Sequence, residues 1–481
     1  MDGKGRAART RLHGWWAAWI CALATAIGGV ALTGTASAAR VLYVSDAAAK
    51  DVGSLTLLGL SVPGGVPSPL TPPSIDTGGG PQHVALTSDG RFAYATAAEP
   101  GLLHAYRVSA SDGSLTPLAT VAAGIGAHGV SVTPNGRFVY LAAQEPGTVF
   151  QYRIGADGVP VPMEPASVPS GDGASGVAIS PDGESVFVTN LRGASVSQFD
   201  VDPATGALTP KAPATLRTPL APSGLAVAPN GRSLYVATLT GRIAQFDIDR
   251  ADGTLRPMRP ARVRVGLGAA GVAITPDGRY LYTPNGLADT VSQFAIDRRT
   301  GRLSPLRPAA VHTGAGPEGI AMAPNGRAVY ASAAGENAVT WLTIGANGRL
   351  TTAGREPLAA GMGPHGVTVS PNQGPVARLT APRSVQVGKA VRFDARASSD
   401  PDGSVRRYHW SFGDGVGDGG RTAVAVHRFD RPGRYTVRLR VADDEGCSAT
   451  RRYTGQTTLC NGSRAAVVTR RITVRRAAQG G

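Results

Sequence analysis

The sequence has little cysteine. Three cysteines occur in 481 residues, and no two of them have the CxxC spacing that structural zinc sites use. Cys21 lies in an N-terminal apolar run, which leaves Cys447 and Cys460 for the rest of the chain. Because an even pair close in sequence is typical of a disulfide in an exported protein, we predict that these two cysteines are bonded to each other.

Long apolar runs are missing after residue 39. Before it, four basic residues between positions 4 and 11 precede the apolar run Trp15–Leu32, and the small residues Ala36, Ser37 and Ala38 follow. This pattern predicts a signal peptide over residues 1–38, cleaved after Ala38. Since the run approaches the length of a membrane span, an uncleaved anchor is the alternative. We expect a secreted or envelope-associated protein with no membrane span in the mature chain.

Helical periodicity is also absent. The sequence contains 64 glycines and 36 prolines, and its apolar residues alternate with a period of two. A turn phrase recurs in it seven times, at spacings of 46, 47, 48, 47, 48 and 47 residues. Its copies begin at Thr87, Thr133, Ser180, Ala228, Thr275, Ala323 and Ser370, as in TPNGR and SPDGE. Four short strands in each repeat of about 47 residues predict an all-β propeller.

The last repeat predicts how the propeller closes. HGVTVSPN, residues 365–372, has no strand of the FVYLA type after it, whereas RVLYVSD, from Arg40, has no inner strand before it. We therefore expect the two chain segments to share one composite blade, which makes seven blades and leaves no open sheet edge. The propeller is predicted over residues 39–375.

These repeats resemble the YVTN and lactonase-like β-propeller family. The likeness rests on VFVTN (residues 186–190), LYVSD, LYVAT, the PDG and PNG turns, and SQFDVDPATGALTP. It implies the propeller fold and leaves the activity open, because that family includes sugar-lactone hydrolases and proteins without known chemistry. PQH, residues 81–83, is similar to a PRH phrase of lactonase-like repeats, but Gln82 replaces an arginine that would suit an anionic sugar acid. That difference argues against a phosphosugar substrate.

Residues 376–475 resemble a polycystic-kidney-disease-type (PKD) domain, an immunoglobulin-like β-sandwich. WSFGDG (residues 410–415) and FDRPGRYTVRLRV carry the likeness, which implies a spacer or a module that binds protein or polysaccharide. Residues 476–481 are expected to be disordered. Two interpretations stay open for the aspartates of this domain: calcium ligands, or ordinary polar turns. The residues concerned are Asp400, Asp402, Asp443 and Asp444.

Positive charge is concentrated in the tail. The net charge is +15, and residues 376–481 hold 20 basic and nine acidic residues, a net +11. Because an exported chain is a poor candidate for nucleic-acid binding, we expect a cell-envelope polysaccharide or surface protein as partner. Solubility is the alternative reason for this charge.

Candidate site residues come from the position just before each inner strand, where a propeller channel opens. The seven equivalent residues are Gln82, His128, Ser175, Ser223, Ala270, Glu318 and His365, and His83 stands where the other repeats have glycine. In ring order the polar ionisable residues fall on four adjacent blades and are expected to face a shared cavity. The loops on the same face add Glu99, Glu145, Asn190, Arg192, Asn285 and Glu336, of which Glu145 is the further candidate ligand-binding residue.

Three interpretations of this rim compete. His128, His365 or His83 with Glu318 would serve lactone hydrolysis as general base and orienting acid. Three histidines and a glutamate would bind a divalent metal. The third interpretation is a polar rim that is filled with water or simply binds a small molecule. It requires no catalytic group and no metal. A serine hydrolase is disfavoured, since no Gly-x-Ser-x-Gly motif occurs.

The sequence therefore predicts a binding protein with no required cofactor, which holds a small ligand at the channel and is attached through its PKD-type domain. The alternative is a secreted lactonase-like hydrolase of a sugar lactone or related cyclic ester.

Overall fold

The structure is a computed structural model that describes residues 40–49, 52–60, 67–352, 356–456 and 458–476. The predicted signal peptide lies outside these residues. So do residues 477–481, the end of the segment predicted to be disordered. The regular structure described is almost entirely β-strand, with one-turn 3₁₀ helices at Ala334–Glu336 and Arg464–Ala466. Within the described residues, no helix has the length and apolar character needed to cross a membrane.

The predicted seven-bladed propeller is confirmed, because seven of the sheets in the described residues are its blades. The described residues begin with three strands of the first blade: β1 (Arg40–Ala49), β2 (Val52–Leu60) and β3 (Pro67–Asp76). Blades 2 to 4 follow as β4 (Pro81–Leu86), β5 (Phe92–Ala97), β6 (Leu102–Val108), β7 (Leu115–Ala122), β8 (Ala127–Val132), β9 (Phe138–Ala143), β10 (Thr148–Ile154), β11 (Pro160–Pro169), β12 (Ala174–Ile179), β13 (Ser185–Asn190), β14 (Ser195–Val201) and β15 (Leu208–Arg217).

Blades 5 to 7 continue the same order from the innermost strand outwards. Their strands are β16 (Pro222–Val227), β17 (Ser233–Thr238), β18 (Arg242–Ile248), β19 (Leu255–Arg264), β20 (Ala273–Ile274), β21 (Tyr280–Asn285), β22 (Thr290–Ile296), β23 (Leu303–His312), β24 (Ile320–Met322), β25 (Ala328–Ala333), β26 (Ala338–Ile344), β27 (Leu350–Thr351) and β28 (Leu358–Ala359). In blade 7 both β27 and β28 pair with β26.

The first blade is completed by β29 (Pro364–Val369), which pairs antiparallel with β1. Leu42 lies opposite Val369 and Val44 opposite Val367, so the sheet order is β29-β1-β2-β3. Side chains of β1 then pack against Tyr330 and Trp341 of blade 7. The N-terminal and C-terminal ends of the propeller sequence thus build one blade between blades 2 and 7.

The amino-acid pattern of a blade explains its layers. The second strand is buried along its whole length, as in FVYLAA over Phe138–Ala143, because both of its faces pack against neighbouring blades. In the turn after the inner strand, Gly90 has φ of +72°, while the Asp89 carboxylate accepts hydrogen bonds from the Thr87 hydroxyl and the Arg91 amide. Glycine supplies the left-handed conformation and aspartate holds the turn.

A buried glutamine on the third strand links each of four blades to the next. Gln198 donates from Nε2 to the carbonyl of Pro213 at 2.6 Å and accepts at Oε1 from the amide of Leu255 in the following blade at 2.9 Å. The residues in this role are Gln151, Gln198, Gln245 and Gln293. The recurring glutamine of the third strand is therefore structural.

The tail forms a β-sandwich with a buried aromatic core that includes Phe393, Trp410 and Phe412. The strands are β30 (Ser384–Gln386), β31 (Ala390–Asp394), β32 (Val405–Ser411), β33 (Gly417–Gly420), β34 (Val424–Arg428), β35 (Gly433–Asp443), β36 (Arg452–Tyr453), β37 (Thr458–Cys460) and β38 (Val467–Arg475). The larger sheet has the order β30-β38-β35-β32-β33. In the smaller sheets β31 pairs with β34, and β36 pairs with β37. The predicted disulfide joins Cys447 and Cys460, with Cα atoms 4.9 Å apart.

Candidate functional site

The backbone of the channel mouth is fixed by hydroxyl groups of the preceding blade. The Thr96 hydroxyl donates to the carbonyl of His128 at 2.6 Å, and the Ser332 hydroxyl donates to the carbonyl of His365 at 3.0 Å. The Ser45 and Thr189 hydroxyls bind the carbonyls of Gln82 and Ser223 in the same way, so a short polar side chain of the preceding blade holds four of the seven rim residues. This anchoring sets where the rim side chains can reach.

Close contact between inner strands explains the glycine after most rim residues. A Cβ atom on Gly319 would lie 2.1 Å from the His365 carbonyl oxygen, and one on Gly366 would lie 2.4 Å from that of Gln82. Only glycine allows this approach, since carbon and oxygen need more than 3 Å. In blade 2, where the repeat is one residue shorter, His83 occupies the glycine position and adds a third imidazole to the rim.

Three imidazole rings meet at the channel mouth. The ring centroids of His83 and His128 are 4.8 Å apart, those of His128 and His365 5.5 Å, and those of His83 and His365 5.7 Å. One nitrogen from each ring lies within 4.8 Å of the other two. The structure thus brings together three residues from three neighbouring blades that are 45 or more positions apart in sequence.

Glu318 contacts this cluster through His365. Its Oε2 lies 2.8 Å from His365 Nε2, which makes an imidazole–carboxylate pair across the boundary between blade 7 and the closing blade. Nδ1 of His365 is buried and has no hydrogen-bond partner among the described residues. With Nε2 occupied by the carboxylate, Nδ1 is the nitrogen left for another partner.

The electrostatics keep the His83 and His128 imidazoles uncharged at neutral pH. Burial lowers the pKa of His83 to about 3, with a further lowering by His365 and a small opposing effect of Glu318. Burial, His83 and His365 together lower the pKa of His128 well below its usual value. For Glu318, burial acts to raise the pKa, but the hydrogen bond and charge of His365 hold it below its usual value. The site therefore combines the neutral imidazoles of His83 and His128 with the carboxylate of Glu318.

These side chains line one cavity of about 160 Å³ at the mouth of the channel. Ser175, Ser223 and Ala270 form the opposite wall, and aliphatic side chains such as Val130, Val177 and Leu225 form the floor. No lysine or arginine of the described chain is among its lining residues. The predicted shared cavity is thus present, with the ionisable residues on one side of it.

A contact between blades adds a serine to the histidine cluster. The Ser175 hydroxyl lies 3.4 Å from His128 Nδ1, and the serine is 2% exposed. The repeat that contains Ser175 has no imidazole at its own rim position. The imidazole beside Ser175 comes from the neighbouring blade. The distance is long for a hydrogen bond, so Ser175 contributes shape and polarity to this wall.

Two predicted ligand-binding residues do not line the cavity. Gln82 turns back and donates from Nε2 to the Gly80 carbonyl at 3.3 Å, and Glu145 is exposed outside it. Among the loop residues, Asn190 and Asn285 are buried and donate to neighbouring hydroxyl groups, which gives them a structural role. Sequence alignment of repeats finds the rim positions and does not reveal which way each side chain turns.

The segment between the two bonded cysteines, which we name the tail loop (residues 447–460), lies at the other end of the channel. Its Tyr453, Gly455 and Gln456 line a second cavity of about 200 Å³ with the far ends of the inner strands. Gln456 donates from Nε2 to the Val272 carbonyl at 2.6 Å and accepts at Oε1 from the Ile274 amide at 3.0 Å. This glutamine satisfies the backbone of blade 6 and seats the loop there.

The four aspartates of the tail that are candidate calcium ligands differ in their surroundings. Both carboxylate oxygens of Asp400, Oδ1 of Asp402 and Oδ2 of Asp443 are buried without a partner among the described residues, whereas Asp444 accepts from the Ser404 amide. Burial and the charge of its neighbours raise the pKa of Asp400, and burial raises that of Asp402 and Asp443. In the described chain, only the three rim histidines gather three ligand atoms closely enough for a metal. Calcium binding by the aspartates stays a prediction.

Comparison with known proteins agrees with this architecture. Residues 42–364 match the model of the lactonase family, seven-bladed β-propeller, and residues 372–458 match the PKD domain. The periplasmic gluconolactonase of Pseudomonas aeruginosa is similar in structure, with a TM-score of 0.57, 20% identity, and coverage of 69% of this chain and 99% of that one. A protein from Lactobacillus plantarum gives a TM-score of 0.57 at 21% identity, with 69% and 98% covered.

Curated relatives match a short stretch of the chain. A collagenase from Clostridium perfringens is 37% identical over 75 residues, and one from Vibrio alginolyticus is 35% identical over 83 residues. These stretches are 16% and 17% of this chain and 7% and 10% of the collagenases. The collagenases share the PKD domain only, so they say nothing of the propeller. From the match that spans residues 42–364, the chain belongs to the lactonase family of seven-bladed β-propellers, and a PKD domain follows its propeller.

Proposed function

We propose that the propeller hydrolyses a lactone or related cyclic ester at the channel mouth. One observation carries the proposal: Glu318, His365, His83 and His128 converge on one cavity instead of spreading into solvent. A scaffold that only binds has no need to gather titratable groups in this way, whereas hydrolysis needs a group that activates water. Membership of the lactonase family supports the same reaction class.

The chemistry required is the addition of water to an ester. The water oxygen bonds to the lactone carbonyl carbon, the ring C–O bond breaks, and the two protons of water end on the alcohol and the acid. The neutral imidazoles of His83 and His128 supply nitrogen lone pairs that activate water, and imidazole N–H groups can donate to the carbonyl oxygen as negative charge develops there. Glu318 fixes the orientation of the His365 ring through its 2.8 Å contact.

The lining of the cavity favours an uncharged substrate. Proteins recognise a phosphate group through charge-assisted hydrogen bonds from arginine or lysine, and none of the described lining residues is either. The aliphatic floor and the polar wall suit a neutral sugar lactone, with carbon on one side and hydroxyl groups on the other. The name of the Pseudomonas relative, a periplasmic gluconolactonase, supports this substrate class.

The test is acid release from neutral δ- and γ-sugar lactones by the purified protein, followed with a pH indicator and corrected for spontaneous opening. Glu318→Gln keeps the shape and removes the charge, so we expect kcat/KM to fall about 100-fold, as for loss of acid–base assistance. Glu145→Gln, the same substitution at an exposed position outside the cavity, is the matched control and should retain the wild-type rate. Absence of acceleration over water for every lactone, or equal rates for Glu318→Gln and wild type, would contradict the proposal.

The remaining expectations concern location and attachment. We propose that the protein acts outside the cytoplasm, supported by the signal-peptide pattern of residues 1–38, the disulfide and the PKD domain. The PKD domain with its net charge of +11 over residues 376–481 would attach the propeller to an anionic envelope polysaccharide or to a surface protein.

A further inference from the structure

We propose that His83, His128 and His365 bind one divalent first-row transition metal ion of the Zn²⁺ type, with Glu318 as the group that orients His365. The inference concerns the cavity to which hydrolysis is assigned above, and its catalytic consequence rests on that proposed function. Binding of the metal stands on geometry of its own.

The ligand set has the right composition. One nitrogen from each of the three rings lies within 4.8 Å of the others. Nitrogens that share a tetrahedral Zn²⁺ ion at 2.0–2.1 Å lie about 3.3 Å apart, so the widest pair must close by roughly 1.5 Å. Because the rings project from separate inner strands into an open cavity, side-chain rotation can supply this movement while the backbone stays held by the Thr96 and Ser332 hydroxyls.

A second observation points to a missing partner. Nδ1 of His365 is buried and has no hydrogen-bond partner in the described chain, although an unsatisfied buried polar atom is costly, at about 1–3 kcal/mol. The other nitrogen, Nε2, contacts the Glu318 carboxylate at 2.8 Å. This is the arrangement in which a carboxylate fixes the tautomer of a metal-binding histidine and leaves the opposite nitrogen free to coordinate.

Glu318 is therefore assigned a positioning role. The sequence suggested it as a possible fourth ligand, but its Oε2 is engaged with His365 and the glutamate lies outside the group of three converging nitrogens. Three protein ligands with an open fourth position are typical of catalytic zinc sites, whereas structural zinc sites use four. The cavity of about 160 Å³ leaves room for water and substrate at that position.

The class of metal follows from the ligands. Three imidazoles favour zinc and its neighbours cobalt, nickel and copper, while calcium and magnesium require oxygen ligands. With such an ion bound, the imidazole lone pairs would hold the metal, and the ion in place of a free imidazole would lower the pKa of a water and polarise the lactone carbonyl. The overall reaction would remain the addition of one water across the ring C–O bond.

The experiment uses the full chain without a polyhistidine tag, stripped of metal with a chelator, and titrates it with Zn²⁺ alone by calorimetry. We expect one equivalent per chain. His128→Ala and His365→Ala should each lower the affinity by 100-fold or more, and Glu318→Gln should lower it by about 10- to 100-fold, as losses of orienting carboxylates do. His312→Ala, an exposed histidine on the outer strand of blade 6, is the control and should bind as wild type does.

Co²⁺ provides a second measurement that does not depend on the variants folding. The wild-type protein should develop the intense visible absorption of four-coordinate Co²⁺, and an added equivalent of Zn²⁺ should remove it. Lack of this absorption, or a Zn²⁺ affinity that His128→Ala and His365→Ala leave unchanged, would overturn the metal site.

Hydrolysis is assayed on the same samples so that the two proposals can fail separately. Full lactone hydrolysis by metal-free protein that binds no Zn²⁺ would overturn the metal site and leave the proposed function standing. Zn²⁺ binding that needs all three histidines, without turnover of any lactone, would support the metal site and contradict the proposed function.

Discussion

At the scale of single residues, the repeats separate structural positions from functional ones. Hydroxyls of the second strand hold the rim backbone, and glutamines of the third strand bind neighbouring blades, so these residues recur. The rim side chains vary from blade to blade because no packing requirement fixes them. His83, His128 and His365 stand out for this reason, and alignment of the repeats was sufficient to find them.

What alignment could not give is contact between blades. Ser175 lies beside His128, and Glu318 beside His365, because each inner strand packs against the next, which no comparison within a repeat reveals. The direction in which Gln82 turns is likewise decided by the local backbone at Gly80. Sequence predicts the positions, and three-dimensional packing decides the partners.

The hydrogen bonds that Gln198 makes between two blades can be tested by their effect on stability. Gln198→Leu keeps the volume of the side chain but leaves the Leu255 amide and the Pro213 carbonyl without their partner in a fully buried position. Each unsatisfied group costs about 1–3 kcal/mol, so the free energy of unfolding should fall by about 2–5 kcal/mol. Denaturant unfolding measures this, with Gln82→Leu as control, since Gln82 makes one long bond to Gly80. Equal losses in the two variants would contradict the structural role.

At the scale of elements, β29 is the strand that closes the propeller. Its existence could be predicted because the inner-strand phrase of the last repeat lacks its following strands, while β1 and β2 lack an inner strand before them. The tail loop could not be predicted in the same way. Two cysteines 13 residues apart indicate a loop, but its seat on Val272 and Ile274 depends on residues more than 180 positions away.

The contribution of β29 to the stability of the propeller can be tested by deleting it. Deleting residues 365–372 removes the inner strand of the first blade and exposes the edges of β1 and the neighbouring inner strands. Since each hydrophobic cluster of the propeller spans two blades, we expect the thermal transition of the whole propeller to move to a markedly lower temperature. Calorimetry on the wild type and the deletion checks this. An unchanged melting temperature would show that the first blade does not close the ring.

Across the whole molecule, the tail contacts one end of the propeller channel, and the histidine cluster lies at the other end. Arg40, at the start of β1, is 4% exposed and binds Asp402 and Glu445 of the tail, while Asn325 of blade 7 donates to the same glutamate. With the tail loop seated on blade 6, the described chain leaves access to the channel at the histidine end. The tail therefore contributes to the cavity at the end of the channel opposite the histidines.

We infer that Glu318 acts only through His365, within one site. The measurement is a double-mutant cycle on kcat/KM for lactone hydrolysis with His365→Ala, Glu318→Gln and the double variant. Residues that act as a unit give strongly non-additive losses. We predict that each single variant loses about 100-fold and that the double variant is no slower than His365→Ala within about threefold. Losses that multiply to about 10⁴-fold in the double variant would mean that the two side chains act independently and would contradict the account.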